Sequence, residues 1–454
     1  MRPFLLSIAL TLSVFLTPSR AQPAPPASCQ VQPADFEGWK AQQVSNRWVT
    51  LTIVPQLGGR LMQVSFGGHP YLFVNPQLKG KYFPPLSATE KPRWYNYGGD
   101  KIWPLPEGSE DAEHWPGPLA DALDDGDYSF TVLSRDPVCT VRLEGPADPR
   151  TGLQYAREIR LGSDSPEIDF HAVMKNASDH PIRWSVQSVT QYDTSASGSP
   201  DTYNREFWGV TPANANSAYP DGFHVRVGPA VDPAYSRENG LFTLHYFYFQ
   251  RELWVDSPAG WLTVLDNSTH YAMVERFAHS GAEYPGAATI IFYTNGPALE
   301  YNDKGMPFLT SSNPTENPYY MEAEVNSPMA ALKPGETYAM DTKWFPTRLM
   351  GRLKSVDEAG ISSTGLTVSR EKDRILLAGS FGVFRAGRLV AYLLDNNGGK
   401  INSVPLQNAS PVDLVDLHAD IAAPAETVRI SVHLVDEHGV DRGSLAEAAV
   451  SAEN

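Results

Sequence analysis

The chain has 454 residues, with 36 lysines and arginines against 52 aspartates and glutamates, for a formal charge of −16. That balance argues against nucleic acid and anionic membrane surfaces as partners, both of which call for a basic face. The length suits one large domain and a smaller one, at about 100–250 residues each.

The first segment reads as an export signal. Arg2 supplies a positive start, residues 4–16 an apolar run, and Ser19-Arg20-Ala21 a small-x-small cleavage site, so residues 1–21 are expected to be a signal peptide. The run is shorter than the ~20 residues that span a bilayer. Cys29 lies well beyond it, and Pro26 stands where a lipobox prefers an aliphatic residue. The mature protein is therefore expected in the periplasm or the medium, with no membrane insertion. Residues 22–44 read as an N-terminal arm, Pro/Ala-rich over 22–28. Cys29 and Cys139, the two cysteines, either pair in an oxidising compartment and tether this arm, or Cys139 is simply buried.

From residue 45 the pattern turns to short alternating runs between turn signals. Strands are expected over 47–54, 59–66, 128–133, 138–143, 153–161, 167–175, 182–192, 222–227, 241–248, 261–265, 287–294, 319–325 and 337–345. No window before residue 350 holds a capped helical period, and 38 prolines with 35 glycines fit many turns. So many strands imply an all-β domain built as a large two-sheet sandwich over 45–350. Past a boundary near 350, further strands at 365–369, 374–380, 387–394 and 426–435 suit a small accessory β-sandwich over 351–454.

Familiar catalytic signatures are missing: no Gly-x-Ser-x-Gly, no phosphate-binding glycine loop, no Cys-x-x-Cys, no His-Glu-x-x-His. The eleven histidines lack metal-ligand spacing, so no metal site is expected from them. Asp124-Asp-Gly-Asp127 lacks the alternation of a calcium loop and reads as a turn of solvated acids.

Three clusters remain. Trp94-Tyr-Asn-Tyr-Gly-Gly-Asp-Lys-Ile-Trp-Pro-Leu-Pro-Glu107 concentrates aromatics with Asn96, Asp100, Lys101, Trp103 and Glu107. Flat aromatic faces suit the C–H faces of sugars, and planar amides and carboxylates suit pairs of hydroxyls. The alternative is an aromatic hairpin plugging the end of a β core. Gly58-Gly-Arg60 opens a strand with an arginine, either a ligand contact or a surface residue after a tight turn. In Tyr319-Tyr-Met-Glu-Ala-Glu-Val-Asn326, strand alternation puts Tyr320, Glu322 and Glu324 on one face, the carboxylates about 7 Å apart. Burial of one beside the other would raise its pKa and make an acid or base near neutrality. Otherwise they form a solvated stripe.

In this order, Gly58-Gly-Arg60, Asn96-Tyr-Gly-Gly-Asp-Lys-Ile-Trp103, Asn176-Ala-Ser-Asp-His-Pro181, Tyr284-Pro-Gly286 and Glu322-Ala-Glu-Val-Asn-Ser-Pro328, followed by Leu332-Lys-Pro-Gly-Glu336, resemble the galactose mutarotase-like (aldose 1-epimerase) superfamily. Within it, the chain is similar to an uncharacterised bacterial branch. The resemblance implies a β-supersandwich with a carbohydrate cleft on its concave face. It implies an aldose epimerase chemistry, with a glutamate as base on the anomeric hydroxyl, a histidine as acid on the ring oxygen, and no cofactor. Glu322 or Glu324 takes the position of that glutamate, and Arg60 that of a substrate-contacting arginine. Asn96, Asp100, Lys101 and Trp103 stand as further substrate-binding candidates. The histidine should lie on 182–191, where Gln187, Ser188, Thr190 and Gln191 stand instead. Gln187 and Gln191 can contact substrate, but a neutral amide cannot replace an acid. Tyr97, Lys101, His69, His114 or His224 would have to supply one. Two readings thus compete with the epimerase: non-catalytic glycan binding, and an envelope interaction protein working through its C-terminal sandwich.

Overall fold

A computed structural model describes residues 29–86, 93–108, 114–118 and 121–451. The expected signal peptide and the Pro/Ala-rich segment lie outside the described residues. Among the described residues there are 35 strands, one 3-10 turn at Pro285–Ala287 and no α-helix. No described helix is long and apolar enough to cross a membrane. The all-β expectation holds.

The main body is two sheets face to face. The larger, 12-stranded among the described residues, runs Gln30–Phe36, Trp39–Ser45, Val49–Val54, Arg60–Phe66, Asp100–Leu105, Ile182–Asp193, Tyr320–Asn326, Ile290–Thr294, Arg251–Val255 and Phe223–Val227, with two short strands off this path. The second, 10-stranded, runs from Tyr235–Glu238 at one edge to Ser129–Ser134 at the other. Alternation builds the core. In Ile168–Asn176, Ile168, Phe170, Ala172 and Met174 are buried while the residues between them are partly exposed.

One expectation needs correcting. Residues 30–44 of the expected arm belong to the domain, because Gln30–Phe36 and Trp39–Ser45 pair as a hairpin at the edge of the large sheet. Its outer strand is mostly exposed and carries Pro33, which an edge strand tolerates and a central one does not. That polar, proline-bearing composition conceals it. Cys29 is disulfide-bonded to Cys139 on the strand Val138–Ala147, tying this edge to the second sheet.

The central strands of the large sheet are buried on both faces. In Tyr320–Asn326, Met321, Ala323 and Val325 enter the core between the sheets, while Tyr320, Glu322, Glu324 and Asn326 are buried on the opposite face. A polar network crosses the core. Asp100 pairs with Arg157 of the second sheet and accepts hydrogen bonds from Thr190 (3.0 Å) and Ser188 (3.3 Å). The Tyr192 hydroxyl donates to Glu275 at 2.6 Å, again from sheet to sheet.

The C-terminal sandwich has a five-stranded sheet, including Arg374–Val383 and Val415–Ala422, over a four-stranded one, including Gly387–Leu394 and Arg429–Asp436. It has its own core around Phe381, Leu389, Leu417 and Val432. A separate apolar cluster joins it to the main body, Trp261 and Phe345 packing with Leu353, Ile361 and Phe384. Arg385 adds ion pairs to Asp164 (2.9 Å) and Glu167 (2.6 Å).

Candidate functional site

On the face of the large sheet turned away from the second sheet, a cavity of about 190 Å³ opens over the central strands. That is the volume of about six waters at ~30 Å³ each. Three indoles, Trp94, Trp103 and Trp254, wall it together with Tyr293 and Tyr320. Four carboxylates, Glu107, Glu252, Glu322 and Glu324, face into it with Gln187 and Arg226.

Register explains why residues so far apart meet. Strand Ile182–Asp193 lies between Asp100–Leu105 and Tyr320–Asn326, with Gln187 opposite Trp103 on one side and Gln191 opposite Glu322 on the other. Tyr293 in turn sits opposite Glu322 across the next strand pair. Directly opposed residues share a face, so the side chains converge.

Each central carboxylate is held by an amide. Gln191 Nε2 donates to Glu322 Oε1 at 2.6 Å, and Gln187 Nε2 donates to Glu324 Oε2. The Lys101 ammonium stands 3.5 Å from Glu322 and 4.4 Å from the centre of the Trp103 ring. Burial, then the nearby charges of Glu322, Glu252 and Glu107, push Glu324 well above the carboxylate range, against a weaker pull from Lys101. Burial and Glu252 likewise push Glu107 up to about 7. Burial also raises Glu252, although Trp254 Nε1 donates to it at 2.6 Å. Burial lowers Lys101, partly offset by Glu322. Burial among like charges thus shifts Glu324 and Glu107 toward the protonated form.

Trp103, Gln187, Glu322 and Glu324 of the expected residues line this cavity. Lys101 and Gln191 stand behind it, gripping Glu322. Three others do not reach it. Asp100 precedes Lys101 on one strand, so alternation turns it into the core, where it is fully buried on Arg157. Asn96 shapes the glycine turn, its side chain accepting from Gly98 N at 3.2 Å. Gly98 adopts φ +94°, and a Cβ there would sit 2.1 Å from the Phe73 carbonyl oxygen, so the turn requires glycine.

Arg60 is neither a surface residue nor a cavity residue. It is fully buried, its Nη2 2.6 Å from Asp124 Oδ1 and its Nη1 donating to the Gly98 carbonyl at 3.3 Å. The same Asp124 accepts Trp103 Nε1 at 2.7 Å and Trp94 Nε1 at 3.0 Å. Arg60 thus acts through Asp124 to hold two indoles of the cavity wall. The reading of Asp124-Asp-Gly-Asp127 as solvated acids holds for the exposed Asp127 and is overturned for the other two. Asp124 and Asp125 are buried, and burial with the Asp124 charge beside it pushes Asp125 up to about 9. Only tertiary packing brings a buried guanidinium to that turn.

The alternative acids also lie elsewhere. Tyr97 is buried, its hydroxyl accepting from Phe83 N, and is pushed up to about 12 by burial. His69 stacks on Tyr271 and is lowered to about 4 by burial. His224 stacks on Tyr219, and neither it nor His114 lines the cavity. Arg226, Glu252, Trp254 and Tyr293 were not singled out in the sequence, because alternate residues on short strands carry no distinguishing signal.

No protein-family model matches the chain, and no curated protein matches it. Solved structures do resemble it. A galactose mutarotase-like protein from Clostridium acetobutylicum is 9% identical, with 71% of this chain and 99% of that one covered and a TM-score of 0.41. A galactose mutarotase-like protein from Lactobacillus casei is 11% identical, with 67% and 99% covered and a TM-score of 0.41. A TPR-domain containing protein from Parabacteroides distasonis is 14% identical at a TM-score of 0.42, and the match spans 70% of this chain and 53% of that longer one.

Proposed function

We propose that the cavity binds a monosaccharide or the end of a glycan, and that Glu324 and Glu322 act on it as an acid–base pair. The observation that carries this reading is the meeting of Trp103 with both glutamates in one cavity. Indole and phenol faces supply apolar walls for sugar C–H faces, and carboxylates supply paired acceptors for hydroxyls. Glu324, protonated by its burial among like charges, takes the part for which no histidine is present. Glu322, steadied by Gln191 and Lys101, takes the part of base.

In an anomer exchange, Glu322 removes the proton of the anomeric hydroxyl while Glu324 protonates the ring oxygen. The C1–O bond to the ring breaks, the aldehyde rotates about C1–C2, and the reverse proton transfers reclose the ring. Balance is internal: one proton is taken and one given. Export belongs to the same proposal. It is supported by the N-terminal sequence and by the Cys29–Cys139 disulfide, a bond that persists in oxidising compartments.

Exchange NMR on a panel of aldoses tests the reading. Accelerated interconversion of anomers is expected. Saturable binding with unchanged exchange rates would leave the second reading, a non-catalytic sugar-binding protein. That reading is favoured by Gln187 and Gln191, neutral amides at the strand where the resemblance places an acid.

A further inference from the structure

The segment Tyr284-Pro-Gly286 takes no part in the acid–base step, but it meets the cavity through Trp254. Gly286 has φ +55°, and a Cβ built on it would sit 2.6 Å from Trp254 Cε3 and closer still to Cζ3. Backbone conformation alone does not demand glycine there, since its neighbour Ala287 carries a side chain at φ +59°. The demand comes from the six-membered ring of Trp254, which lies against the bare α-carbon.

The turn is held against that ring. Ala287 N donates to the Tyr284 carbonyl at 3.1 Å and Ala288 N to the Pro285 carbonyl at 3.0 Å. The Ala288 carbonyl accepts from the buried Asn326 Nδ2 at 3.0 Å, and the Gly286 carbonyl accepts from the Tyr219 hydroxyl. The indole is fixed on its own side: Nε1 donates to Glu252 Oε1 at 2.6 Å, and the Arg226 guanidinium stands 5.0 Å from the ring centre. Trp254, Glu252 and Arg226 all line the cavity. Resting on the sugar reading above, we infer that Gly286 is a positioning residue of this cavity, its bare α-carbon seating the Trp254 indole beside Glu252. A side chain at 286 drives the ring off the turn and away from Glu252, and so reshapes the sugar site without touching the sugar. Gly286 thereby does for Trp254 what Asp124 does for Trp94 and Trp103.

Gly286→Ala in the full chain tests this. Two readouts are used: titration calorimetry with glucose, galactose and mannose, and the Trp254 indole N–H resonance, identified as the signal that Trp254→Leu removes. The indole signal is expected to shift, and affinity for the best-bound hexose to fall by about tenfold or more. In a Trp254→Leu background the same glycine change should cost about twofold or less, because the ring it acts through is gone. An unmoved indole signal, wild-type affinity in Gly286→Ala, or an equal loss in both backgrounds overturns the inference while the sugar reading stands. Where Gly286→Ala does not fold, the double variant is expected to fold, relieved of the clash; failure of both assigns the glycine to the turn alone and overturns the inference. Binding of none of the three hexoses by the wild type overturns the sugar reading, and the indole signal then still decides whether Gly286 seats Trp254.

Discussion

The Asp124 carboxylate accepts the Trp103 indole N–H at 2.7 Å while its same oxygen meets the buried Arg60 guanidinium at 2.6 Å. One aspartate therefore couples the aromatic wall of the cavity to a buried cation. Replacing it should strike both stability and binding.

Asp124→Ala leaves Arg60 charged and uncompensated in the interior. Loss of one partner of a buried pair costs about 3–5 kcal/mol, so urea unfolding should show a midpoint far below that of the wild type. A change under about 1 kcal/mol would mean that the pair is solvated in solution.

Trp103→Ala removes the indole that lies against the Lys101 ammonium and faces the glutamates. Sugar affinity should fall by about tenfold or more, equivalent to 1.4 kcal/mol. Calorimetry showing unaltered affinity would assign the aromatic segment to packing alone.

Glu324→Gln keeps the shape of the side chain and removes its acidic proton. Anomer exchange should drop by about 10²–10⁴-fold, with sugar affinity changed far less. Exchange at the wild-type rate would remove Glu324 from the chemistry.

Glu275 makes stability fall as pH rises through the neutral range. Burial in the core lifts it to about 8 from 4.5, opposed by the hydrogen bond from Tyr192 and with Asp100 adding to the rise. The folded state therefore holds a proton that the unfolded chain releases near 4.5, and stability falls as pH climbs from that value through 8. Glu275→Gln, which has no proton to lose, should flatten the decline between pH 6 and 9 in thermal melts. An equally steep decline in that variant would assign the effect to Asp125 and the other raised carboxyls.

Reduction of Cys29–Cys139 should release a large loop from constraint, since 110 residues separate the pair. Loss of such a crosslink typically costs about 2–5 kcal/mol. Cys139→Ser should therefore melt well below wild type, and added reductant should then shift only the wild-type protein.

Much of the fold was legible because strand alternation and turn residues are local. The strands at 138–143 and 153–161 emerge longer, as Val138–Ala147 and Leu153–Gly162, and that at 167–175 emerges one residue on, as Ile168–Asn176. The edge hairpin at Gln30–Ser45 was hidden by its polar composition. Strand Arg251–Val255, with Glu252 and Trp254 in the cavity, is only five residues long, too short for its alternation to stand out in the sequence.

By itself, the order of residues determined an all-β chain, the shared face of Tyr320, Glu322 and Glu324, and the glycine turn before Trp103, because each depends on neighbours within a few positions. Only the tertiary structure decided that Arg60 and Asp100 are buried ion-pair partners and that Asp124 anchors two indoles. It also decided that Gln187 and Gln191 clasp the glutamates. Those outcomes rest on which strands lie side by side and which face meets the second sheet, and contacts between residues 57 to 137 positions apart leave no mark in local sequence.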